Sequence, residues 1–146
     1  MDGQFLLNVG FFTVAAVLIV AAVKSMRKKA VVKEPDEVLH SPVLYDALDL
    51  IKRVPWVHYI VGQYIVRLRR TEFMVYQGSR AYGVAHAGRG EIWLDYEYVQ
   101  NAAAKDVVSL ILHETAHLHL RHSTYSPENE RAATQWQLAA MKEFYG

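Results

Sequence analysis

The chain has 146 residues, with 16 Lys/Arg against 15 Asp/Glu and no cysteine. That length allows one domain, and the missing thiols exclude disulfides and any thiolate metal site. Lys24, Arg27, Lys28 and Lys29 cluster near the N-terminus while only Asp2 is acidic there, which leaves 12 basic and 14 acidic residues beyond residue 29; this near-neutral remainder carries no electrostatic footprint for nucleic acid.

Gly3 to Val23 is a run of 21 residues without a charge. As a helix it would span about 32 Å, the thickness of a bilayer core. A buried core helix is the rival reading, but a domain this small rarely hides a helix on every side. A cleaved signal peptide needs positive charge ahead of the run, where only the amino terminus and Asp2 stand. We therefore expect a single transmembrane helix over 3–23. The basic cluster follows it, so the positive-inside rule puts the N-terminus outside and the rest of the chain in the cytoplasm. Residues 24–40 read as a basic juxtamembrane linker whose cations also suit anionic lipid head groups.

Residues 41–146 read as the folded domain. Ser41-Pro42 pairs an N-cap with a proline at the first helical position. Leu44, Ala47, Leu48 and Ile51 then recur at helical spacing. Pro55 is expected to end that helix. After it, the pattern suits a helical turn and then a strand from about Tyr64. Phe73 to Tyr76 is a short β-prone run, and Ala81 to His86 alternates with Tyr82, Val84 and His86 on one face. Ala87-Gly88-Arg89-Gly90 has turn chemistry and Glu91 to Leu94 reads as the returning strand. Together these predict a small antiparallel sheet.

A helix is expected from between Ala102 and Asp106 to about His122. It contains His113-Glu114-Thr115-Ala116-His117, an H-E-x-x-H motif inside the apolar run Val107 to Leu120. Residues four apart in a helix lie one turn apart on one face, so two imidazoles there can grip one metal ion. Glu114 then stands beside the ion, where it can take a proton from water. A buried helix with incidental histidines would explain five letters as well. It would also bury a carboxylate without a partner, at several kcal/mol, which a metal ion relieves. A di-iron bundle needs two such motifs, and the sequence has one.

A catalytic zinc site takes three protein ligands. A metzincin would need glycine and histidine where Leu120 and Ser123 stand. Ser126-Pro127 starts a last helix with Ala133, Trp136, Ala140 and Phe144 along one face. If the two helices fold back as a hairpin, Glu130 reaches the height of His117, which makes it the favoured third ligand. Glu128 and His122 are the alternatives; Glu128 also suits a helix first turn, and His122 and His119 also suit a helix last turn.

Glu130-x-x-Ala133-Thr134, following H-E-x-x-H, resembles the E-x-x-A-D/N element of gluzincin metallopeptidases. The order of elements from about residue 42 to 144 resembles the small gluzincins, including ImmA/IrrE-like peptidases. Thr134 departs from the usual Asp or Asn, which predicts a weaker outer bond to a ligand histidine; His119 sits where an apolar residue is usual. The resemblance implies an α+β zincin-like domain that hydrolyses a protein or peptide substrate. Zn²⁺ would be held by His113, His117 and Glu130, with Glu114 as the catalytic proton carrier. It further implies that Glu91 to Leu94 is the sheet edge that pairs with substrate. Tyr82, His86 and Tyr125 are candidates for an oxyanion partner, none preferred. The alternative function is a zinc-stabilised module at the membrane that binds a peptide without turnover, a role that needs no carboxylate at Glu114.

Overall fold

A computed structural model describes residues 38–70, 73–74 and 79–145. The expected transmembrane helix (3–23) and residues 24–37 of the linker lie outside the described residues. Within the described residues no helix is long and apolar enough to cross a membrane.

The first helix, α1 (Pro42–Lys52), starts at Ser41 with proline in its first turn and buries Leu44, Ala47 and Ile51. Pro55 opens a second helix, α2 (Pro55–Val61), instead of merely closing the first. Its ring pre-sets the helical φ and its missing N–H is not needed at that position. The strands follow as β1 (Ile65–Arg69), β2 (Phe73–Met74), β3 (Arg80–Ala81), β4 (Gly83–His86) and β5 (Glu91–Asp95). A short helix α3 (Tyr96–Asn101), the motif helix α4 (Ala104–His119) and the last helix α5 (Pro127–Tyr145) complete the domain.

The sheet departs from expectation in two ways. It is mixed, in the order β1-β5-β4, with β1 parallel to β5 and β4 antiparallel to β5. Glu91 to Leu94 therefore lies in the central strand, and β4 is the edge beside the motif helix. The hairpin closes through Gly90, at φ 63, a backbone state that only glycine adopts without cost. β2 and β3 pair separately as a short antiparallel ladder.

Alternation along β5 turns Ile92 and Leu94 inward, both fully buried. Val107, Val108, Ile111 and Leu112 of α4 meet them, together with Ile51 of α1, Val57 of α2 and Ala140 of α5. Burying each such side chain contributes about 1.5–3 kcal/mol. Asp95 ties the sheet end to α3. Its carboxylate accepts from the Glu97 and Tyr98 N–H groups and lies 2.9 Å from the Arg80 guanidinium. The outcome is a helix α4 held between sheet and helices, which fixes where its motif residues stand.

Candidate metal centre

Helix α4 buries the apolar Val107, Val108, Ile111 and Leu112, and one turn on it buries the polar Glu114, Thr115 and His117. His113 and His117 share the face turned to α5. The Ser126 hydroxyl caps α5 by accepting from the Asn129 N–H at 3.1 Å, which sets the helical phase that brings Glu130 opposite the histidines. His113 Nε2 lies 3.1 Å from Glu130 Oε2, His117 Nε2 lies 3.1 Å from Glu130 Oε1, and the two Nε2 atoms are 3.3 Å apart. The three residues form a cluster that can hold a metal ion. Glu128 is exposed on the first turn of α5 and stays outside the cluster.

Both histidines are backed by a second side chain. His113 Nδ1 lies 3.1 Å from Gln137 Oε1, an amide oxygen that can only accept, while the Gln137 amide nitrogen lies against Ser109 Oγ. With the Nδ1–H directed to that oxygen, His113 turns Nε2 to the Glu130 carboxylate 3.1 Å away, an arrangement that suits a cation between them. Glu130 Oε1 is buried with no hydrogen-bond partner despite facing His117. Ligand atoms about 2.0–2.1 Å from a tetrahedral zinc are about 3.3–3.4 Å apart, close to the spacings seen here. The donor set fits the ion.

His117 Nδ1 meets His122 Nδ1 at 3.0 Å. His122 is not in the last turn of the helix, as the sequence suggested. Helix α4 ends at His119, and Arg121 at φ 58 turns the chain back. Ring Nδ1 of His122 thereby backs His117 instead of joining the cluster. Thr134 is exposed, and the outer bond expected of that position is made by Gln137, one turn later. Gln137 was missed in the sequence; its signal is the spacing of seven from Glu130, which puts both on one face of α5. His119 packs near Trp136, with ring centroids 5.7 Å apart.

Glu114 projects to the other side, against β4. A Cβ on Gly83 would sit 3.1 Å from Glu114 Cγ and 3.3 Å from Glu114 Oε1, so a side chain there would crowd the carboxyl. Glu114 Oε2 is buried with no hydrogen-bond partner. Burial, and then the charge of Glu130, push its pKa up to about 8. A carboxyl poised that near neutrality can take and release a proton in one cycle. Burial also lowers the pKa of His117 to about 4, which keeps its ring neutral and able to ligate.

Tyr125 lies against His117, with ring centroids 5.2 Å apart, and its hydroxyl accepts from the Ala85 N–H at 3.3 Å. Burial, then the charge of Glu114, push its pKa up to about 12, so it keeps its proton. Tyr82 stacks on Tyr98 and His86 tilts against Trp93, with centroids 4.2 and 3.8 Å apart; of the three oxyanion candidates, Tyr125 packs on His117, and His86 lines the same cleft. A cleft of about 400 Å³ opens there, between the β4–β5 turn and the α4–α5 loop, lined by Ala85, Arg89, His117 and Tyr125 among others.

No protein-family model matches the chain, and no curated protein does. The structure is similar to the crystal structure of the metallopeptidase zymogen of Pyrococcus abyssi abylysin, at 21% identity and a TM-score of 0.40, covering 70% of this chain and 95% of that one.

Proposed function

We propose that this chain is a membrane-anchored zinc peptidase in which His113, His117 and Glu130 hold the metal and Glu114 carries the proton. One observation carries the reading: two imidazole Nε2 atoms and one carboxylate converge at 3.1–3.3 Å beside a second, buried carboxylate that no donor holds. Zinc suits these nitrogen and oxygen donors, and supplies a Lewis acid that polarises a peptide carbonyl and acidifies water. Gln137 and His122 keep the two imidazoles turned so that each offers Nε2. Glu114 takes the proton of the attacking water on its free oxygen and passes it to the leaving amine. Strand β4 offers the edge along which an extended substrate can add. The uncharged run Gly3 to Val23, with its basic flank, would hold the domain at the cytoplasmic face of a membrane.

Metal analysis of the purified full chain should find about one zinc per molecule. His113→Ala, His117→Ala and Glu130→Ala should each lose it. Glu114→Gln should keep zinc and fold, yet lose hydrolysis of a peptide library by about 100- to 10,000-fold. A folded protein that holds no zinc, and takes up none on titration, ends this reading. Carbonate washing tests the anchor separately, since the full chain should remain with the membranes.

A further inference from the structure

In an antiparallel ladder, alternate residues turn their main-chain groups toward the partner strand and the rest turn them away. In β4 the neighbouring carbonyls of Tyr82 and His86 face β5, accepting from the Asp95 and Gly90 N–H groups at 2.8 and 3.0 Å. The Ala85 N–H therefore points outward. Among the described residues β5 is the only strand in the sheet that flanks β4. An outward N–H on such an edge is a ready place for an incoming strand, but here the Tyr125 hydroxyl occupies it, 3.3 Å away. The same ring packs on the ligand His117, and both Ala85 and Tyr125 line the cleft beside it.

We propose that Tyr125 is a stand-in for substrate: its hydroxyl holds the place of a peptide carbonyl, and an extended peptide must displace it to pair with β4 beside the ligands. This rests on the peptidase reading and deepens it, because it names an extended main chain as what the cleft admits. Tyr125 thus acts as a positioning residue that keeps the edge strand closed between substrates. In the free protein it also satisfies a donor that would otherwise be exposed to any passing strand.

The test uses the zinc-loaded full chain and two probes. One is a hydroxamate-capped Ala-Val-Ala tripeptide, which offers both a metal-binding group and a main chain. The other is acetohydroxamate, which offers the metal-binding group alone. Tyr125→Phe should bind the tripeptide about two- to tenfold more tightly, the worth of one hydrogen bond no longer contested. Its affinity for acetohydroxamate should not rise. With ¹⁵N-alanine labelling, the Ala85 amide should exchange faster in the free variant than in the parent, and slow in both when the tripeptide is added. An equal gain for both probes, or no gain for the tripeptide, overturns the proposal. So does an Ala85 amide that exchanges at one rate in both free proteins. If neither probe binds the parent protein, the peptidase reading itself falls and takes this one with it.

Discussion

The two halves of helix α4 both carry buried side chains and hold them by opposite means. Val107, Val108, Ile111 and Leu112 are apolar and fixed by shape against β5, α1 and α2. His113, Glu114 and His117 are polar, and a particular neighbour stands against each. Gln137 backs His113, His122 backs His117, and the absence of a side chain at Gly83 leaves room for Glu114. The first half supplies stability, and burying polar groups in the second half draws on it. A polar cluster of this kind can be buried only because a core lies directly beneath it.

That contrast can be broken from the apolar side first. Leu112→Ala removes a fully buried side chain and should cost about 2–5 kcal/mol of stability by thermal or urea denaturation. Zinc affinity per folded molecule should stay as it was. A variant that loses zinc without losing stability would mean that the two halves are not separate in function. Gln137→Ala attacks the polar half from behind. It should lower zinc affinity about 10- to 100-fold, measured by competition with a chelator, with little change in stability when zinc is in excess. An affinity equal to the parent's would show that the His113 tautomer needs no such support. Gly83→Ala is the mildest change. The added Cβ, 3.1 Å from Glu114 Cγ and from Leu110 Cδ1, must push one of them by a few tenths of an ångström. Turnover should fall by about tenfold, an effect near 1.4 kcal/mol, with zinc content unchanged. If turnover is untouched, packing on β4 does not position the carboxyl.

Much of this site was legible because its information is local. The spacing of His113 and His117 follows from 3.6 residues per turn. Ser126-Pro127 announces where α5 begins, and counting from that start places Glu130 opposite His117. What could not be read depends on chain reversal or on distant pairing. The left-handed Arg121 carries no signal, since it is not a glycine, and it decides that His122 backs His117 rather than ending a helix. The parallel pairing of β1 with β5 joins segments separated by the whole β2–β4 region. Alternation reports which residues face inward but not the direction of the partner strand, so an antiparallel sheet was the natural expectation. The resemblance had put Glu91 to Leu94 at the edge, and the unforeseen pairing with β1 makes it the central strand. Gln137 escaped notice, and Tyr125 was named only as one of three oxyanion candidates, because an amide behind a ring and a hydroxyl on a distant N–H leave no trace in spacing or hydropathy.

The tight turn at Arg121 has one more consequence. All three residues of the cluster fall between His113 and Glu130, on two helices joined by a short connection. An ion bound there closes a small loop, and closing a small loop removes little freedom from an unfolded chain. The ion would therefore act less as a staple for the whole domain than as a clasp on one helical hairpin. Strand β4, the edge proposed to pair with substrate, lies outside the clasp. Substitutions along β4 could thus redirect what the protein accepts while the ligand set stays intact, so that recognition and metal retention could drift apart over generations.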